Sequence, residues 1–236
     1  MGPHALSILL LEAAATVGTS QVRQVYSPIG VVSGGVGVGR GTGFLVGPCH
    51  VVTAKHVGGP NPKIVGSLMK FRIPLRGGRT LQSNATVVAA GDLDVENDLL
   101  SGDRRGDWML LQLSRCIGHT VGWAELSSAE IDATSYWKPN SEPLQSAGFR
   151  THWDWKLGPK VDESCRVTMI SKDQLWNNCD VMPGDSGGPL YAVTKVAGHT
   201  RYLVFGLQSA LTTPNGNYGS VIAAPVRQIR QYLPSM

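Results

Sequence analysis

The stretch "CDVMPGDSGGPL", Cys179 to Leu190, sets a serine between an acid and two glycines inside an apolar, Gly/Pro-punctuated segment. Gly184, two residues before Ser186, permits backbone dihedrals closed to other residue types, so neighbouring amide N–H groups can converge on one point. Such a serine is either a nucleophile or a polar residue in a tight turn. The first reading needs a histidine to take the hydroxyl proton and a buried carboxylate to hold that histidine in the right tautomer.

Composition narrows the setting. The 236 residues are 42% hydrophobic and 16% charged, enough apolar material for a sizeable core in one large domain or two small ones. With 29 glycines, 14 prolines and many valines, the chain favours short strands joined by turns. The net charge of +4 comes without a basic run interleaved with aromatics, so nucleic-acid binding is not expected. No stretch approaches the ~20 apolar residues that span a bilayer as a helix, and a membrane protein is not expected. The first 24 residues read either as a signal peptide, with Ala13–Ala15 as an A-x-A cleavage site, or as a flexible extension. Glu12 and the lack of a basic start argue against the former.

Strand signals recur every 8 to 15 residues from Pro28 onward. "GTGFLVGPCHVVTAKHV" (41–57) predicts two strands around a Gly47-Pro48 turn. The glycine-rich "GGVGVGRGTG" (34–43) has no G-x-G-x-x-G register and is read as a hairpin loop, not a phosphate cradle. Further strands are predicted in "KIVGSLMKFRIPL", "TLQSNATVVAAGDL" and "DWMLLQL", then in "LQSAGFR", "ESCRVTMI", "QLWNNCD", "GGPLYAVT", "RYLVFGLQSA" and "SVIAAPV". Helix is expected only weakly in "SSAEIDATSYW" and in the terminal "APVRQIRQYL", where Val226, Ile229, Arg230 and Leu233 follow an i, i+3, i+4, i+7 stripe. An all-β chain results. Its expected divisions are a unit over 25–118, a linker at 119–134 and a second β unit over 135–236 that ends in a helix.

Three residues fit the chemistry. His56, in "VVTAKHVGG", follows a predicted strand and precedes a glycine pair, a place that presents a ring to a cleft. His50 lies within that strand, and His119, His152 and His199 have no comparable surroundings. Asp107 leads straight into the apolar "WMLLQL" and is the best orienting acid; Asp103 sits beside Arg104 and Arg105 in a solvated loop, and Asp98 precedes two leucines. Ser186 is the nucleophile, with the N–H groups of Gly184 and Ser186 as the oxyanion hole. The cysteines lack C-x-x-C spacing and the six histidines are scattered, so no metal and no cofactor is expected. The acidic "GDLDVENDLLSGDRRGD" fits no calcium-loop spacing.

"TAKHV", "DWMLLQL" and "GDSGGPL", in the order His, Asp, Ser, resemble the trypsin/chymotrypsin-like serine peptidases, and within them bacterial secreted members related to glutamyl endopeptidases. The resemblance covers nearly the whole chain after about residue 25. It implies two six-stranded antiparallel barrels with the triad between them, polypeptide substrates, a monomer and export as a secreted or periplasmic protein. It also implies roles for four further residues. Ser209 matches a serine that supports the aspartate and lines the substrate groove. Asp180 matches the floor of the primary specificity pocket, where a buried carboxylate would favour Arg or Lys. Gln208 falls where glutamyl endopeptidases tend to have histidine, and Leu211 where trypsin-type pockets need glycine. Lys55 replaces a small residue, and the cysteine that usually follows the histidine is missing. Cys165 and Cys179 flank a predicted hairpin and are expected to pair, leaving Cys49 with Cys116; four reduced thiols are the alternative. The expected activity is a serine endopeptidase. The alternatives are an inactive peptidase-like binding module and an esterase using the same triad.

Overall fold

The computed structural model describes residues 28–34, 39–61, 63–94, 103–127, 144–152, 154–171, 174–196, 199–211 and 221–233. The extension before residue 28, Asp98 and the predicted "SSAEIDATSYW" helix beyond Ser127 lie outside the described residues.

Six strands close the first barrel in the order β1-β2-β3-β6-β5-β4: β1 (Ile29–Gly34), β2 (Arg40–Gly47), β3 (His50–Thr53), β4 (Leu68–Pro74), β5 (Thr80–Ala90) and β6 (Met109–Leu113). Alternation directs them. In β4, Met69, Phe71 and Ile73 are buried while Leu68 and Lys70 face water, as period-two geometry requires of a sheet with one apolar face. β2 instead is buried along nearly its whole length, because its outer face meets the second half of the chain. Antiparallel pairing of β1 with β2 agrees with the predicted hairpin, whose tip (35–38) is outside the described residues.

The link between the halves contains one helical turn, α1 (Gly118–Val121), and a short strand β7 (Glu125–Leu126) that pairs in parallel with residues 203–204 of the second half. The remaining strands are β8 (Leu144–Gly148), β9 (Lys160–Cys165), β10 (Val167–Ser171), β11 (Gln174–Asn177), β12 (Pro189–Val196), β13 (His199–Leu211) and β14 (Val221–Pro225). They match the strands expected from sequence. Among the described residues the path β10-β11-β14-β13-β12-β8-β9 does not close, and β7 brings the sheet to eight strands.

The expected terminal helix is present, in 3₁₀ form. Arg227–Tyr232 form a 3₁₀ helix with three-residue bonds such as Ile229 N–H to the Val226 carbonyl. Three-residue spacing puts Val226 and Ile229 into the core together, and Tyr232 meets the Trp108 ring at 5.4 Å. One apolar cluster runs from Phe44, Phe71 and Met109 of the first barrel to Phe149, Leu207, Val226 and Ile229 of the second half. A smaller one gathers around Cys165, Cys179, Leu190 and Phe205. Both expected disulfides are present, Cys49–Cys116 and Cys165–Cys179.

Candidate active site

His56 sits on the 3₁₀ turn Lys55–Gly58 that follows β3. Its Nδ1 lies 2.7 Å from Asp107 Oδ2, and its backbone N–H donates to Asp107 Oδ1 at 3.0 Å. Asp107, fully buried just before β6, also accepts the Ser209 hydroxyl. Burial alone would raise its pKa, but the His56 charge and the bonds from His56 and Ser209 outweigh that and hold the carboxyl below its ordinary range. A carboxylate that stays ionised while buried can fix the imidazole and stabilise its protonated form. Asp103, by contrast, is exposed and pairs with Arg105, as a solvated loop acid should.

The turn itself is stapled. Lys55 is buried, and its Nζ donates to the carbonyls of Gly91 and Leu93, both at 2.8 Å. Those residues bond onward to the segment around Asp107: Gly91 N–H to the Trp108 carbonyl and Leu93 N–H to the Gly106 carbonyl. The lysine that departs from the family pattern thus ties the histidine turn to the aspartate segment.

Ser186 lies on the loop between β11 and β12, half-buried. Gly184 and Gly187 hold φ of +100° and +82°, a region L side chains rarely adopt. A Cβ on Gly187 would also strike Thr53 and Ala54, the residues leading into the His56 turn, so the His56 and Ser186 segments lie against each other. The neighbouring amides of Asp185, Gly187 and Gly188 donate to the carbonyls of Met182, Gln208 and Asp185. Among the described residues, no acceptor takes the N–H of Gly184 or Ser186. Two donors left open beside a serine are what an oxyanion hole requires.

Thr42 joins this loop to the first barrel. Its N–H donates to the Ser186 carbonyl and its Oγ1 to the Gly184 carbonyl, both at 2.8 Å, while Oγ1 accepts the Phe149 N–H. Asp185 anchors the loop from below. Its Oδ2 accepts Met182 N–H at 2.9 Å and Arg150 Nε at 3.3 Å, while Oδ1 is buried with no partner among the described residues. Burial lifts its pKa to about 6, against the downward pull of Met182 N–H and Arg150. Thr42 and Arg150 had no signal in the sequence, since each acts across more than thirty residues of chain.

The remaining expected site residues divide. Ser209 is in the assigned contact with Asp107. Gln208 is buried with its amide committed: Nε2 donates to Ser146 Oγ at 2.9 Å and Oε1 accepts from Asn177 at 3.4 Å. Leu211 ends β13, and its side chain lies outside the described residues. Asp180 is a correction. Its side chain is 71% exposed and its Oδ2 accepts from Arg150 Nη2 at 2.9 Å. Cys179 and Val181 on either side are buried, and Asp180 between them faces outward. Asp162 approaches the sulfurs of Cys165 and Cys179, but a disulfide supplies no thiolate and the group is no metal site.

The sequence profile described as "Trypsin" matches residues 29–231. The chain belongs to the trypsin family. The trypsin-family fold is further supported by similarity to the MamO protease domain from Magnetospirillum magneticum in its apo form, with a TM-score of 0.53. That similarity covers 90% of this chain and 98% of the other at 18% identity, a level that speaks for the fold alone. The search of curated proteins gave no match. Trypsin-family membership makes the chain a serine-peptidase-type hydrolase domain that takes peptide substrates. No helix among the described residues is long and apolar enough to cross a membrane.

Proposed function

We propose that this chain is a serine endopeptidase in which Ser186, His56 and Asp107 act as nucleophile, general base and orienting acid. The observation that carries the reading is the bonded series His56–Asp107–Ser209 lying against the loop of Ser186. In the acylation step the Ser186 Oγ attacks the scissile carbonyl carbon and its proton passes to His56 Nε2. Asp107 keeps the Nδ1 proton in place and offsets the new imidazolium charge. The carbonyl oxygen, now an anion, takes the open N–H groups of Gly184 and Ser186, and one such donor lowers a barrier of this kind by ~2.7–4 kcal/mol. The C–N bond breaks as His56 returns its proton to the leaving amine. Water, activated by the same imidazole, then hydrolyses the acyl-enzyme.

On this reading the strand from Gln208 to Leu211 receives the acyl half of the substrate. The preference for Arg or Lys expected from Asp180 is not retained, because an exposed carboxylate already paired with Arg150 offers no buried charge to a cationic side chain. The pocket floor is read instead as uncharged, with Gln208 bonded to both Asn177 and Ser146. Two disulfides suit an oxidising compartment, so the enzyme is proposed to be secreted or periplasmic, like the bacterial exported members it resembles.

Digestion of a peptide library tests both levels of the proposal. Cleavage by the wild type, lost in Ser186→Ala, is expected, with uncharged residues at the cleaved position. Cleavage after Arg or Lys would restore the Asp180 role. Turnover of simple esters without peptides would favour the esterase, and peptide binding without turnover the inactive module.

A further inference from the structure

The first barrel presents a basic face to the second half of the chain, directly beside the nucleophile loop. In the register of β1 with β2 and β4, Ser33 stands opposite Arg40 and Lys70, while Val31 stands opposite Thr42 and Arg72. Residues two apart share a side, so Arg40, Thr42 and Arg72 occupy one face of the sheet. Thr42 on that face bonds the Gly184 carbonyl, which makes Arg40 a neighbour of the oxyanion loop. Trp155, from the segment after Phe149, lies over Arg72 with 5.2 Å between the guanidinium carbon and the ring centroid. Arg72 Nη2 donates to Ser33 Oγ at 3.0 Å.

The donors of this cluster are in excess. Among the described residues, Nε and Nη2 of Arg40 and Nε of Arg72 are buried without an acceptor, although both residues are only half-buried. Burial first and the Arg72 charge second pull the Arg40 pKa down; Asp154 acts the other way. No ion pair joins Asp154 to Arg40 among the described residues, and Asp154 Oδ1 instead caps the Lys156 N–H at 3.0 Å. Lys70 adds exposed positive charge on the same face. Desolvated guanidinium donors without an anion are costly, and two forks beside an indole face match a carboxylate.

The side of the cleft follows from the loop. Ser186 bonds β2 through Thr42 N–H, while Gly187 and Gly188 bond β13 through Gln208, so the nucleophile lies between the two strands. With β13 receiving the acyl half, β2 meets the departing half. We propose that Arg40, Arg72 and Trp155 form a carboxylate-binding subsite on the leaving-group side, selecting substrates with an acid just beyond the scissile bond. The carboxylate belongs to an Asp or Glu side chain or to a nearby chain terminus. The subsite rests on the peptidase reading above.

Internally quenched peptides with one acyl half test it. The departing half carries Glu, Gln or Lys in its first three positions with an amidated end, and a further Gln peptide ends there in a free carboxylate. Fluorophosphonate titration counts working Ser186 in every preparation, so a poorly folded fraction drops out. The expected kcat/KM favours Glu over Gln by about tenfold and places Lys lowest. The Glu-to-Gln ratio is expected to fall toward one in Arg40→Gln, in Arg72→Gln, and for the wild type in high salt. A gain confined to the free-carboxylate peptide supports the subsite and assigns it to chain ends. Equal rates for all peptides by a fully labelled enzyme, or a Glu preference that survives both substitutions, would overturn the subsite and leave the peptidase intact. Failure of both labelling and cleavage would overturn the peptidase reading and the subsite with it.

Discussion

Thr42 shows how one hydroxyl can govern the geometry of a loop that belongs to the other half of the chain. Its Oγ1 satisfies both the Gly184 carbonyl and the Phe149 N–H, each buried. Thr42→Val keeps shape but leaves both groups unpaired, at about 1–3 kcal/mol each. A fall in kcat of at least about tenfold, with KM moved less, is expected, and Thr42→Ser should rescue it. Asp185 makes a second residue-scale prediction through pH. Its pKa of about 6 in the fold is above the ordinary 3.8, so the folded chain binds the proton more tightly than the unfolded one. The group therefore favours the fold at pH below about 4 and loses that contribution as pH rises through 6, a swing of ~3 kcal/mol. Asp185→Asn should gain stability relative to wild type between pH 4.5 and pH 8 in urea titrations, while losing activity because Arg150 and Met182 no longer share a carboxylate. Asp107 runs the opposite way: its lowered pKa stabilises the fold above the ordinary carboxylate range and ceases to do so in acid.

Among the elements, the 3₁₀ turn Lys55–Gly58 depends on an ammonium bonded to two carbonyls. Lys55→Met is isosteric along most of its length but removes those bonds. It should lower the midpoint of denaturation by the equivalent of about 2–4 kcal/mol and reduce kcat, while Lys55→Arg retains part of both. The sequence allowed this turn to be located, since apolar "VV" before it and "GG" after it bracket a strand end. It also allowed β4 and β5 to be read, where burial alternates residue by residue. What it could not give were contacts set by distant chain. The family resemblance makes Asp180 a pocket acid, yet its side chain is exposed and paired with Arg150, a residue thirty positions away. The terminal stripe fits α and 3₁₀ spacing equally at Val226 and Ile229, and packing chose the tighter form. Likewise, strand periodicity identified β8 to β14 but contained nothing to say whether their sheet closes.

At the scale of the whole molecule, the proposed chemistry is divided between halves. The first barrel carries His56 and Asp107, and the second half carries Ser186 and Ser209. Ser209 with Asp107, and Thr42 with the Ser186 loop, tie the two together across the cleft, backed by one apolar cluster common to both. That arrangement explains why the order His, Asp, Ser along the chain carries so much information: each residue arrives at the cleft from a separate strand end, and the sheets fix the distances. The same arrangement makes the reactivity of Ser186 a readout of the entire assembly. Mass spectrometry after incubation with a fluorophosphonate measures it directly. The account predicts one adduct per folded chain, mapped to Ser186, absent in Ser186→Ala and strongly slowed in His56→Ala. A folded wild-type chain that remains unlabelled, or an adduct on another residue, would contradict it.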